Sequence, residues 1–179
     1  MKSSLSRRAL EWCSAVEVAM AAFFVTVKCA IFAEMIYTST SLEETQKIAN
    51  DFKESLIPND DKATIVGLYG NLGAGKTAFA KCLAKAFGVE DGVTSPTFVI
   101  EKIYELKDQE FTHLIHIDAY RLEKSEELLH LGWNEITSDP HNLILIEWPE
   151  RVADIMPEHI KISLESMEDE NSRSIEIEV

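Results

Sequence analysis

The sequence Gly70-Asn71-Leu72-Gly73-Ala74-Gly75-Lys76-Thr77 fits the phosphate-binding pattern G-x-x-x-x-G-K-[ST], known as a P-loop. Glycine lets backbone N–H groups converge on phosphate oxygens because no Cβ blocks the approach. A helix that begins at the end of such a loop directs the positive end of its dipole at the same anion. In this pattern Lys76 reaches the β- and γ-phosphates and the Thr77 hydroxyl ligates Mg²⁺. The remaining nucleotide contacts are expected from the loop residues Asn71, Leu72, Gly73, Ala74 and Gly75.

The flanking segments have the order that a P-loop requires. Residues 63–69 are a short apolar run, as expected of a buried parallel strand. After the loop, apolar residues recur at helical spacing as far as Phe87, and Gly88 follows as a C-terminal cap. We therefore predict an α/β protein with the three-layer P-loop NTPase fold, in which helices flank a mixed, mostly parallel sheet.

The composition is that of an ordinary globular protein with a strongly acidic charge. The chain has 179 residues, of which 46% are hydrophobic, and its formal net charge is −14 at pH 7. A free-standing nucleic-acid binder would be basic, so any contact with RNA is expected to run through a basic partner. The three cysteines show no metal-ligand spacing and indicate a reduced, cytoplasmic setting.

Residues 1–34 differ from the rest of the chain. Basic residues precede an apolar run, Val18–Val27, which resembles a signal peptide but is shorter than the roughly 20 residues that span a bilayer. No stable membrane insertion is expected. The segment is an appended amphipathic helix, a weakly membrane-associating segment, or an upstream extension of the reading frame with Met35 as the true start. We favour the last because the organised domain, residues 35–179, begins directly afterwards.

The other elements follow from caps and periodicity. Ser41 and Glu44 form a capping box that starts a helix running to about Leu56. Its predicted buried face consists of Leu42, Thr45, Ile48, Ala49, Phe52 and Leu56. Antiparallel strands joined by a hairpin turn are predicted at 98–104 and 111–117. The chain then continues with a helix at 122–131, a buried strand at 142–147 and half-exposed strands at 160–164 and 175–179.

Two acidic residues end apolar strands and are candidates for handling the metal. A P-loop ATPase needs a carboxylate at a strand end to hold Mg²⁺ and a group that orients a water molecule. Glu147 ends the strand at 142–147, and ligands gather at this edge of an open parallel sheet. Asp118 ends another apolar strand, although an aspartate there is also a good helix cap.

Other polar residues have either a role at the phosphates or a purely structural role. Thr94, Ser95 and Thr97 are candidates to direct a hydroxyl at the γ-phosphate, or else they form a turn. The lone histidines His113 and His116 are interpreted as structural.

Four motifs in register carry a resemblance to a known family. They are Gly70–Thr77, Ser95-Pro96-Thr97-Phe98, His116-Ile117-Asp118-Ala119-Tyr120-Arg121 and Glu147-Trp148-Pro149-Glu150. In this order they resemble the bacterial TsaE family, a small P-loop ATPase of tRNA threonylcarbamoyladenosine synthesis, over about residues 38–179.

The resemblance implies a role for individual residues. It implies catalytic roles for Lys76, Asp118 and Glu147, with Thr77 and Glu147 holding Mg²⁺. It places Thr94 near the phosphates of ATP, and Thr45 and Arg173 near its base. Two departures are Asn71, where members often carry an acid, and Ala78, where they carry a second threonine. Neither position supplies an obligatory ligand.

The resemblance also implies a function and partners. Slow ATP hydrolysis would reset the threonylcarbamoyltransferase subunit and its paralogous partner between rounds of modifying adenosine 37, with tRNA contacted only indirectly. Two alternatives stay open from the residues. One is a small-molecule kinase of the P-loop class, and the other is a nucleotide-gated adaptor that needs no turnover.

Overall fold

In the described part of the chain seven strands form one sheet, and helices cover both of its faces. The computed structural model describes residues 35–89, 96, 99–169 and 172–179. In chain order the elements are β1 (Met35–Ser39), α1 (Leu42–Lys53), β2 (Thr64–Tyr69), α2 (Lys76–Ala86), β3 (Glu101–Glu105), β4 (His113–Asp118), α3 (Ser125–His130), α4 (Trp133–Ser138), β5 (Asn142–Glu147), β6 (Ile160–Ser166) and β7 (Arg173–Glu178). Short 3-10 helices lie at Ala119–Arg121 and Pro149–Val152.

The sheet has the strand order β1-β7-β6-β2-β5-β4-β3. Strand β2 pairs in parallel with β5 and β6, and β4 pairs in parallel with β5. The pairs β1–β7, β6–β7 and β3–β4 are antiparallel, so β3 and β7 run against the other five strands. The predicted α/β fold with a mixed, mostly parallel sheet is confirmed, as is the antiparallel pairing of β3 with β4.

The core is split between the two faces of the sheet, as alternating strand residues require. Helices α1 and α2 pack on one face, where the buried cluster includes Phe52, Phe79, Leu68, Leu145 and Ile162. Helices α3 and α4 pack on the other, where the cluster includes Leu128, Trp133, Ile65, Ile117 and Ile146. Both faces of β2, β4 and β5 are therefore covered, which explains why these strands read as continuous apolar runs.

Helix α1 is shorter than predicted. The Ser41 hydroxyl caps it by accepting from the Glu44 N–H at 3.2 Å. The helix ends at Lys53 because both the N–H and the hydroxyl of Ser55 bond to the carbonyl of Phe52, which turns the chain. Leu56 is buried beyond that turn, whereas Leu42, predicted on the buried face, is 60% exposed because the buried face begins only at Thr45.

Three short elements differ from the prediction. Strand β3 begins at Glu101 because the positive φ of Ile100, 67°, interrupts extended backbone just before it. The helix predicted at 122–131 is the shorter α3, and Gly132, with a φ of 89°, is the N-cap of α4 directly after it. Strand β1 was not predicted, and it has five residues that extend the sheet beside β7. No described helix has the length and apolar character needed to cross a membrane.

Gly70 occupies a position that a side chain would disturb. Its φ is 134°, and a Cβ there would lie 2.2 Å from the carbonyl oxygen of Leu164. We expect Gly70→Ala to lower the free energy of unfolding by roughly 1–3 kcal/mol, through backbone strain and overlap. Denaturant unfolding would measure it, with Gly73→Ala as the control, because Gly73 has positive φ but no described atom within 4 Å. Equal losses in both variants would contradict this account.

Candidate functional site

The predicted loop curls at the carboxyl end of β2. Gly70, Gly73 and Gly75 all have positive φ, which side chains rarely adopt. Gly75 is the N-cap of α2, so the helix begins at Lys76 and its N-terminus faces the loop. Backbone N–H groups and the positive end of a helix dipole are thus brought to one place, as binding of a phosphate requires.

Lys76 is buried inside this loop. Its side chain donates to the carbonyl oxygens of Gly70 at 2.6 Å and Asn71 at 2.9 Å, and the residue is 4% exposed. Its Nζ also lies 3.6 Å from the centre of the Trp148 ring. Burial lowers the pKa of Lys76, and the nearby carboxylates, Glu147 first among them, act in the opposite direction. No carboxylate oxygen in the described part of the chain lies within ion-pair distance of the Lys76 Nζ. A bound anion would therefore give this ammonium a charged partner.

Thr77 and Glu147 meet next to the loop. The Thr77 hydroxyl, in the first turn of α2, donates to Oε2 of Glu147 at 2.7 Å. Glu147 is 2% exposed and ends β5 beside Leu68 of β2. A buried carboxylate and a hydroxyl are oxygen ligands of the kind Mg²⁺ takes, usually together with substrate phosphates rather than in an all-protein cage. The described residues contain no cluster of three or more His, Cys, Asp or Glu side chains that could hold a metal ion by themselves.

Asp118 lies at the same edge of the sheet. It pairs with Glu147 in the register of β4 and β5 and is 5% exposed. Its Oδ1 accepts from the N–H of Tyr120 at 3.1 Å, which caps the 3-10 helix that follows. Asp118 thus stands beside the candidate metal ligand and also caps a 3-10 helix, and its catalytic role stays a prediction.

His116 contacts the candidate metal ligand, which sequence reasoning did not foresee. Its Nε2 lies 2.9 Å from Oε1 of Glu147, and the histidine is 1% exposed. The sequence contains one signal for this contact. His116 lies two residues before Asp118, so both residues are on the same face of β4. His113 has a local partner, since its Nδ1 lies 3.0 Å from the Thr112 hydroxyl.

Of the other residues predicted to contact the nucleotide, one lies at the loop, one is buried in the fold and one is outside the described residues. A guanidinium nitrogen of Arg173 lies 2.5 Å from the point that a Cβ on Gly75 would occupy, so Arg173 lies against the loop. Thr45 is fully buried. Its hydroxyl lies 2.8 Å from the Ser39 hydroxyl and donates to the Ser41 carbonyl at 3.1 Å. The hydrogen bonds of the Thr45 hydroxyl are thus made within the protein itself. Thr94, like Ser95 and Thr97, lies outside the described residues, and so does the extension at 1–34.

Trp148 closes one side of the loop. Its backbone is left-handed, with φ 59° and ψ 47°, and its N–H donates to the Leu68 carbonyl at 3.3 Å. The ring lies 5.0 Å from that of Tyr120, centre to centre, as well as over Lys76. The sequence motif contained Trp148, but its contact with the lysine depends on this unusual backbone and was not predicted.

Comparison with known proteins finds a matching family and several similar chains. The family described as "Threonylcarbamoyl adenosine biosynthesis protein TsaE" matches residues 39–175. A relative from Rickettsia conorii, named tRNA threonylcarbamoyladenosine biosynthesis protein TsaE, is 42% identical over 140 residues, covering 77% of this chain and 74% of the relative. A relative of the same name from Mycobacterium tuberculosis is 32% identical over 141 residues, covering 76% and 82%.

A solved structure shows the same architecture. The crystal structure of YdiB from Bacillus subtilis superposes with a TM-score of 0.63 and 28% sequence identity, covering 80% of this chain and 84% of the other. The resemblance inferred from the four motifs is thereby confirmed, and this chain belongs to the TsaE family.

Proposed function

We propose that residues 35–179 bind ATP with Mg²⁺ and hydrolyse it slowly, as a subunit required for tRNA N6-threonylcarbamoyladenosine formation. The observation that carries the proposal is the buried Lys76 inside a glycine loop, next to the Thr77–Glu147 hydrogen bond. These groups fit the two parts of Mg²⁺-ATP, because the loop offers N–H groups and a cation to phosphate while the hydroxyl and carboxylate offer oxygens to the metal.

Each residue has a distinct task in this proposal. The loop backbone would hold the phosphates, and Lys76, which now donates to two carbonyls, would donate to phosphate oxygens instead. Thr77 and Glu147 would hold Mg²⁺, which would supply positive charge to the phosphates. Asp118, beside Glu147 in the sheet, serves either to orient the attacking water or to couple the site to a partner.

The proposed partners are proteins. The relatives are named for tRNA threonylcarbamoyladenosine biosynthesis. We place this subunit with the threonylcarbamoyltransferase and its paralogous partner in the cytoplasm, where ATP turnover would reset the complex between modifications of adenosine 37. The net charge of −14 favours a protein partner over direct contact with tRNA.

A pull-down tests this function. Tagged protein is incubated with ATP and Mg²⁺ and the two transferase subunits, and captured proteins and tRNA modification are measured. We expect capture of the transferase pair with ATP and repeated modification only when ATP is hydrolysed. Repeated cycles with a non-hydrolysable analogue would contradict the proposed turnover and leave the nucleotide-gated adaptor. Capture without any nucleotide requirement would contradict both the proposal and that alternative. Phosphate transfer to a nucleoside or sugar, faster than to water, would instead favour the kinase.

Binding of nucleotide should change the fluorescence of Trp148. When Lys76 engages phosphate, its Nζ has to leave the position 3.6 Å from the ring centre, and the indole loses an adjacent cation. We expect a change in tryptophan emission on adding Mg²⁺-ADP that Trp148→Phe abolishes. Trp133→Phe is the control, because that indole donates to the Ile155 carbonyl, whereas the Lys76 ammonium lies over the ring of Trp148. Persistence of the full change in Trp148→Phe would refute the assignment.

A further inference from the structure

The two oxygens of the Glu147 carboxylate are held by two different elements. Oε2 accepts from the Thr77 hydroxyl of α2 at 2.7 Å, and Oε1 lies 2.9 Å from Nε2 of His116 on β4. Both the carboxylate and the imidazole are almost completely buried. Since an ionised carboxylate only accepts hydrogen bonds, His116 must be the donor in this contact.

The surroundings of His116 fix its position and its tautomer. His116 lies in β4 and pairs with Leu145 of β5 on one side and with Lys102 of β3 on the other, so its backbone cannot shift without disturbing three strands. The other ring nitrogen, Nδ1, is buried and has no hydrogen-bond partner among the described residues. A proton on Nδ1 would be buried without an acceptor, which costs free energy, so the tautomer with hydrogen on Nε2 is favoured.

From this arrangement we infer that His116 is a positioning residue that orients the Glu147 carboxylate for Mg²⁺; the inference rests on the proposed function. By binding Oε1, the imidazole leaves Oε2 directed toward Thr77 and the first turn of α2. The histidine does not touch the metal or the nucleotide. Hydrogen bonds that orient a ligating group in this way typically contribute about 10–100-fold to metal affinity.

Two amide substitutions separate this role from simple core packing. In His116→Gln the side-chain NH₂ can reach the position of Nε2 and donate to Glu147. In His116→Asn the shorter side chain places its NH₂ near the position of Nδ1, which does not contact the carboxylate. Both variants thus carry a side-chain amide, but only the glutamine is long enough for its NH₂ to contact the Glu147 carboxylate.

The measurement is calorimetric affinity for ADP, and for a non-hydrolysable ATP analogue, over a series of Mg²⁺ concentrations and in EDTA. For His116→Asn we expect about a 10–100-fold increase in the Mg²⁺ concentration that gives half of the metal-dependent gain in affinity. For His116→Gln we expect a value near that of the unmodified protein. Affinity in EDTA should be the same in all three proteins, because the histidine does not contact the nucleotide.

Three results would overturn the inference, each in a distinguishable way. If both variants respond to Mg²⁺ and unfold in denaturant like the unmodified protein, His116 neither positions the ligand nor stabilises the fold. If both lose the same free energy of unfolding in denaturant and their Mg²⁺ response is unchanged, the contact is structural only. If the unmodified protein binds neither nucleotide with Mg²⁺, the proposed function fails and this inference fails with it.

Discussion

Lys76→Ala should weaken the binding of Mg²⁺-ATP by about 1.5–3 kcal/mol, the value of a hydrogen bond to a charged group. This corresponds to an increase of roughly 10- to 150-fold in the dissociation constant. The loss is expected because the ammonium is already buried at the loop, held by two neutral carbonyls, and gains a charged partner only when phosphate arrives.

Calorimetry on the folded variant would measure this effect. The matched control is Lys81→Ala, which removes the same charge from an exposed position on the same helix. An affinity in Lys76→Ala equal to that in Lys81→Ala would contradict the assignment of Lys76 to phosphate.

Glu147→Gln should reduce ATP turnover by about 100-fold or more, because a metal that neutralises phosphoryl oxygens is worth several kcal/mol in the transition state. Glutamine keeps the shape of the side chain but provides a neutral oxygen, a poorer ligand for Mg²⁺. Binding of nucleotide should fall less than turnover, because the loop and Lys76 are left intact.

Steady-state release of phosphate and calorimetry together separate the two effects. Glu126→Gln is the control, because this exposed carboxylate on α3 is not among those that act on Lys76. Unchanged turnover in the Glu147 variant would refute its role in holding the metal.

Negative charge around Lys76 explains why metal and nucleotide should bind together. The carboxylates of Glu147, Glu150 and Asp118 all act to raise the pKa of Lys76, against the larger effect of burial. The same carboxylates would repel a triphosphate that arrived without a cation. Mg²⁺ held where Glu147 meets Thr77 would remove this repulsion, so we expect the site to bind the metal complex more tightly than free ATP.

Much of the site could be predicted because its parts are local in sequence. The loop is a contiguous motif whose glycines, lysine and threonine have fixed roles. Glu147 could be recognised because an apolar run that ends in an acid marks the end of a buried strand, and the parallel order of β2 and β5 brings that end to the loop.

What could not be predicted depends on registers between strands and on unusual backbone. The contact of His116 with Glu147 requires β4 to lie beside β5 with Asp118 opposite Glu147, and no sequence pattern gives that register. The contact of Trp148 with Lys76 requires a left-handed residue directly after a strand. Short elements such as β1 and α4 carry too few periods for a pattern to emerge.

The most direct test is a calorimetric titration of the folded protein with Mg²⁺-ATP and with Mg²⁺-ADP. Because phosphate at Lys76 and metal at Thr77 and Glu147 are the centre of this account, we predict saturable heat of association for both nucleotides. The absence of such heat for either one, in protein shown to be folded, would contradict it.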